Sequence, residues 1–243
     1  MTAGWTPLPW DSDFFGFSIG RVDLDGADRT GIVAVEDDAS AAGVVCLYGS
    51  LDPADRELTF VAQTLGWRFV DAATMFSLRL DEPPIARPPG LTFRPGTADD
   101  LPAMRGVIGK LADWSRFAVD PRFGGDAALR LQQAWIARAA TSTTGEHSLV
   151  VAEESSEIVA FITRASSPHP VVDTVGTTAQ GSGAARYLIE NARAWAGDQA
   201  LLGGPIAARN VNALRYVSHC GYRVRWVRYL YHRWLDEDGG ATR

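Results

Sequence analysis

One carboxylate inside an apolar run is the first residue here that suggests chemistry. Asp173 interrupts Val171-Val172-Asp173-Thr174-Val175, and an ionised side chain in a strand of that kind is costly unless it is paired or used. It is either a base that takes a proton from a substrate or half of an ion pair with a neighbour such as Arg164. His169, just ahead of Pro170, is a second candidate base because imidazole titrates near neutral pH. A histidine beside a loop is otherwise simply exposed. After the strand comes Gln180-Gly181-Ser182-Gly183-Ala184-Ala185. Glycines between a strand and a helix let successive backbone N–H groups turn towards one anion at the positive end of the helix dipole. The spacing is neither the dinucleotide fingerprint nor a Walker loop, which would need three glycines in another register or a Lys-Ser/Thr end.

Elements must hold these residues in place. Leu91 to Pro95 reads as a strand, and Thr97-Ala98-Asp99-Asp100 as a capping-box-like helix start. The helix after it carries Leu101, Met104, Val107, Ile108 and Leu111 on one face. A second helix capped by Asp126 follows, then strands at Ser148 to Ala152 and Ile158 to Arg164. Next are the Val171–Val175 strand, the glycine turn, a helix to about Ala196, a strand at Leu201 to Ala207 and a helix from Asn210 to His219. A long aromatic-rich strand from Tyr222 to Leu235 ends the pattern, which is a mixed α/β layout. Upstream, strands are expected at Ser18 to Leu24, Val44 to Tyr48, Trp67 to Val70 and Thr74 to Leu80, with a helix opened by Asp52-Pro53 and stopped at Gly66. Four prolines and a glycine between Asp81 and Gly90 read as an extended linker. The expected organisation is therefore residues 1–82, a proline-rich linker at 83–90, and residues 91–243.

Composition closes off several classes. With 243 residues and 46% hydrophobic content, the chain carries enough apolar surface to repay the ordering of its backbone. A formal charge of −6 lacks the basic excess of a general nucleic-acid binder. Two cysteines, Cys46 and Cys220, support neither a disulfide framework nor a cysteine zinc site, and four histidines show no ligand spacing. Met1 to Trp10 has no basic and apolar leader pattern, and no apolar run approaches the ~20 residues of a bilayer span. A cytoplasmic protein with a small-molecule substrate, no nucleic acid and no membrane is expected; a homodimer is left open.

The order of elements together with these motifs resembles the GCN5-related N-acetyltransferase (GNAT) family over Leu91 to Leu235. The family's loop Gln/Arg-x-x-Gly-x-Gly/Ala is matched by Gln180, Gly183 and Ala185; its Asn-x-x-Ala helix element by Asn210 and Ala213; its Gly-aromatic ending by Gly221-Tyr222. The resemblance implies a mostly antiparallel mixed sheet flanked by helices and acetyl-CoA as cosubstrate. It places the pantetheine arm along Val175 to Thr177 and the diphosphate at Gln180, Gly181, Gly183, Ala184 and Ala185, with Asn210 beside them. The tyrosine that often protonates the leaving thiolate in this family stands seven residues after the Asn, and here that residue is Val217. Tyr216 lies about 100° away round the helix and is the nearest substitute. The usual basic position of the loop is Ser182.

A narrower likeness exists to the TDP-fucosamine acetyltransferase branch. It is carried by Trp10-Asp11-Ser12-Asp13-Phe14-Phe15-Gly16 and by Arg116-Phe117-Ala118-Val119-Asp120-Pro121-Arg122-Phe123 followed by Trp135-Ile136. It implies a truncated GNAT-like N-terminal domain before a complete one, and an acceptor that is an amino sugar linked to a nucleotide. Arg116 and Arg122 would pair with a diphosphate, and Phe117 and Phe123 would cover a base or sugar face. The alternative is that Asp120 pairs with a neighbouring arginine and both rings are core. In related enzymes a carboxylate near the fourth strand deprotonates the amine, so Asp173, His169 and Tyr216 are the acid–base candidates. Two other functions stay open: a fold reassigned to another reaction, such as a cyclisation in secondary metabolism, and a non-catalytic ligand-binding protein.

Overall fold

The structure is a computed structural model describing residues 4–78, 85–166, 168–178 and 181–236. In chain order its elements are β1 (Trp5–Pro7), α1 (Pro9–Phe15), β2 (Ile19–Asp23), α2 (Arg29–Ala41), β3 (Cys46–Leu51), α3 (Arg56–Thr64) and β4 (Arg68–Leu78). They continue with β5 (Leu91–Pro95), α4 (Leu101–Ala112), α5 (Arg116–Val119), α6 (Ala127–Thr141), β6 (His147–Glu154), β7 (Glu157–Ala165) and β8 (Val171–Thr177). Last come α7 (Ala184–Ala196), β9 (Leu202–Ala207), α8 (Val211–His219) and β10 (Tyr222–Trp234). Contacts gather these into two compact units, Met1–Ala73 with Val227–Arg243, and Thr74–Trp226. The divisions fall inside β4 and β10, whereas the sequence suggested the proline-rich segment. The physical reason lies in β10, whose residues Tyr229 to Trp234 pair antiparallel with Leu51 to Cys46, so the chain end belongs to the first unit. Residues 83 and 84 of the expected linker, and 79–82 ahead of it, lie outside the described residues. No helix among the described residues is long and apolar enough to cross a membrane.

In the first unit the strand order is β1-β2-β3-β10-β4, with β2 and β3 parallel and α2 as their crossover. Its core is built on Val22, Leu24, Ile32, Leu47, Trp67 and Tyr231. Two of its helices were not anticipated. The aromatic stretch after Leu8 forms α1, with Trp10 stacked on Phe14, and α2 is capped by Asp28, whose carboxylate accepts from Gly31 N at 2.7 Å. The two strands expected at Trp67–Val70 and Thr74–Leu80 are one, β4, because Asp71 is buried in it and accepts from the Ala72 N–H instead of marking a turn.

The second unit has the order β4-β9-β8-β7-β6-β5, mostly antiparallel, with β8 and β9 parallel. Alternation along its strands assigns two faces. Ala152, Ala160 and Ile162 join α7 and α8 on one; Val151 and Phe161 join α4 and α6 on the other. The capping box forms as the sequence suggests: the Thr97 backbone N–H donates to Asp100, and the Thr97 side chain answers the N3 backbone. Arg94 then spans Asp100 at 2.7 Å and Glu153 at 2.6 Å, and its guanidinium holds the Asp100 carboxyl down at about 2. This fixes the start of α4 to the sheet.

Gly176 shows how closely α4 lies on β8. A Cβ there would strike the Phe161 ring and come within 2.8 Å of Val107 Cγ1. Gly176→Ala should cost about 1–3 kcal/mol through overpacking, read as a lower urea midpoint with an unchanged slope. An unaltered midpoint would mean that α4 is free to move off the strand.

Candidate active site

β8 and β9 lie side by side and then separate. Their pairing is confined to Val171 with Leu202 and Val172 with Gly203, although β8 runs on to Thr177 and β9 to Ala207. Each strand has a local cause. On β8 the register against β7 slips: Arg164 faces Val172 and Thr163 faces Thr174, so Asp173 is an extra residue. Such a bulge bends its strand and re-aims a side chain. On β9, Pro205 has no N–H to give to a ladder. Gly204 has φ +103° and runs so close to the Thr74 carbonyl that a Cβ would lie 3.0 Å from it, which draws β9 towards β4.

The result is a gap at the carboxyl ends of two parallel strands, a place where ligands of α/β proteins bind. One wall is the edge of β8 from Asp173 to Thr177, roughly 13 Å at strand spacing. From Asp173 to Gly176 this edge has no strand partner on its β9 side among the described residues. Past its end lies the glycine turn. Gly181 and Gly183 adopt φ +87° and +75°, and Gly183 is the N-cap of α7. Ser182 Oγ accepts weakly from Ala184 N at 3.3 Å. Ala184 and Ala185 are buried, so only their backbone faces the turn.

Asp173 therefore stands at the root of the gap. Arg164 does not neutralise it: that guanidinium donates to Ser148 Oγ at 3.1 Å and lies over the Trp195 ring at 4.7 Å. The Asp173 side chain reaches solvent, yet protein atoms crowd round the carboxylate and push it up to about 6. His169 is exposed and lies two residues ahead of the start of β8, four residues before Asp173.

The other expected residues are placed as follows. Val175 packs against the α7–α8 side of the sheet, and Thr177 donates its hydroxyl to Val159 O at 3.0 Å. Gln180 lies outside the described residues. Asn210 is the N-cap of α8 and accepts from Ala213 N at 3.1 Å, leaving its NH₂ for other partners. Val217 is buried in the core, and the Tyr216 hydroxyl is buried beside Cys220; burial and that thiol hold it well above the ordinary phenol range. In the Arg116–Phe123 segment, Phe117 and Phe123 are buried and meet edge to face at 5.0 Å. Asp120 is fully buried and accepts from Arg122 N, and the Arg116 guanidinium lies over the Phe117 ring at 4.8 Å.

Two arginines carry weight that the sequence did not reveal. Arg186, in the first turn of α7, has a buried Nε without a hydrogen-bond partner, and its charge reaches Tyr216 and Cys220. Arg209 donates to Asp113 O at 2.8 Å and to Ser115 O at 2.9 Å. Only an i+3 or i+4 relation could have signalled Arg186, and contacts nearly a hundred residues away left no local trace for Arg209.

No protein-family model and no curated protein matches the chain. Solved structures do. A conserved protein of unknown function from Staphylococcus epidermidis matches with a TM-score of 0.68 and 12% identity, over 93% of this chain and 88% of its own. A GCN5-related N-acetyltransferase from Sphaerobacter thermophilus matches with a TM-score of 0.61 and 15% identity, over 96% and 77%. A tandem GNAT protein from the clavulanic acid biosynthesis pathway matches with a TM-score of 0.56 and 13% identity, over 94% and 77%. At these identities the likeness is one of architecture, and the chain has the mixed α/β fold of the GCN5-related N-acetyltransferases.

Proposed function

We propose that the chain is an acyl-CoA-dependent N-acetyltransferase acting on the amino group of a nucleotide-linked deoxysugar or a similar small molecule. The observation that carries the reading is the parting of β8 from β9 at Asp173, ending at a glycine turn on a helix N-terminus. The residues present suit acyl-CoA. The backbone of Asp173 to Gly176 that faces away from β7, with Val175 at its centre and Thr177 following it, would bond the amides of the pantetheine arm as an edge strand bonds a peptide. The N–H groups of Gly181, Gly183, Ala184 and Ala185, with Gln180 before them and Asn210 across at α8, would receive the diphosphate. Acetyl-CoA supplies the activated acyl group.

In this reading Asp173, as carboxylate, takes a proton from the acceptor ammonium, and the freed nitrogen attacks the thioester carbonyl. The acyl group passes from sulfur to nitrogen, the C–S bond breaks, and the second proton of the nitrogen passes through water to the departing thiolate. Val217 has none to give, and Tyr216 holds its own tightly. His169 is the second candidate base. Arg116 and Arg122 would offer charge to an acceptor phosphate, with Phe117, Asp120 and Phe123 as the packed support beneath them. A truncated GNAT-like N-terminal domain and a cytoplasmic setting belong to the same reading.

Isothermal titration should give a Kd for acetyl-CoA below about 100 μM, and mass spectrometry should find one added acetyl on an amine from a panel of nucleotide-linked amino sugars. No heat with any acyl-CoA would sink the proposal. The buried Val217 favours one other reading, in which the fold has lost acyl transfer and performs another small-molecule reaction. Binding of acyl-CoA without transfer to any amine would support that one instead.

A further inference from the structure

α4 lies on β8, with Val107 against Gly176, and its C-terminal end runs into the loop Asp113-Trp114-Ser115. Arg209 stands in the turn between β9 and α8. Its Nη1 donates to Asp113 O at 2.8 Å, its Nη2 to Ser115 O at 2.9 Å, and its guanidinium carbon lies 5.7 Å from the centre of the Trp114 ring. A helix seated on β8 is thus tied to the turn after β9, and these are the two strands that part beyond Val172. Trp114 is 38% exposed despite its size, so the ring is held at the surface by this bond set and not by burial.

We infer that Arg209 is a positioning residue that straps the Asp113–Ser115 loop across the parted strands and so sets Trp114 and the following Arg116–Phe123 segment as the acceptor-side wall. The inference rests on the transferase reading of the same gap. A rigid fork bonded to two carbonyls is a task for arginine. Lysine keeps the charge but offers a single point donor and cannot hold both oxygens in plane.

The test compares wild type, Arg209→Lys and Arg209→Ala. Hydrogen exchange of the amides in residues 113–123 should quicken about tenfold in both variants, while acetyl-CoA affinity stays within twofold. With TDP-fucosamine as acceptor, KM should rise about tenfold in both and kcat should stay within twofold. Unchanged exchange in the folded variants overturns the strap. Faster exchange with an unchanged KM overturns its role in positioning. If wild type does not acetylate TDP-fucosamine, that acceptor assignment fails, and the exchange arm alone decides: quicker exchange supports the strap and unchanged exchange overturns it.

Discussion

Asp173→Asn is expected to lower turnover more than tenfold while the affinity for acetyl-CoA stays within about twofold. The substitution keeps the shape and the bulge, but the amide cannot accept the proton of the acceptor ammonium. The wild-type rate should climb with pH and level off above about 6, where the crowded carboxyl has ionised; the variant should lose that limb of the profile. Stability should move the other way. The folded value lies above the ~3.9 of an unfolded aspartate, so the folded state favours the protonated acid. Its contribution is complete below about pH 4 and is lost as pH rises through about 6. Since Asn never ionises, the variant should melt no lower than wild type at pH 5 and no lower, or somewhat higher, at pH 8. A stable variant with full activity would remove Asp173 from the mechanism. A variant that melts lower at pH 8 would show that the carboxylate has a stabilising partner.

The second unit was largely legible in the sequence because its signals are local. Thr97 and Asp100 make a capping box within one turn, and the apolar face from Leu101 to Leu111 settles α4. The glycine turn ahead of α7 and the helix opened by Asn210 were likewise read from neighbouring residues. What was missed depends on distant partners. The bulge at Asp173 arises from a register slip against β7, which no property of β8 announces. Phe117 and Phe123 suited either a ligand or the core until their rings were seen to meet. Arg209 bonds a loop with no sequence relation to it. In the first unit the misses involve buried acids: Asp71 lies inside β4, where two strands were expected, and Glu36 sits on the apolar face of α2, which was not anticipated.

That same Glu36 carries the largest expected stability effect. It lies on the buried face of α2 with Ile32, Val35 and Ala39. Its Oε1 accepts from the Trp67 indole N–H at 2.7 Å, and its Oε2 from Arg233 Nη2 at 3.3 Å. Arg233 in turn lies under Gly66, whose φ of +85° brings the backbone close enough that a Cβ would sit 3.3 Å from the guanidinium. All three side chains are almost completely buried. Glu36→Ala would remove the acceptor of the indole N–H and the acidic partner of the guanidinium, which keeps its bond to Trp234 O. Removing one partner of a buried pair costs about 3–5 kcal/mol, a large share of a typical ~5–15 kcal/mol. Glu36→Gln should cost less, because an amide oxygen still accepts from Trp67. The double substitution Glu36→Leu with Arg233→Met should regain most of the loss, since it removes both charges together. Urea midpoints of the three variants test this order. If Glu36→Ala falls within 1 kcal/mol of wild type, or if the double variant is worse than the single, the pair is not the anchor between α2 and β10 in this unit.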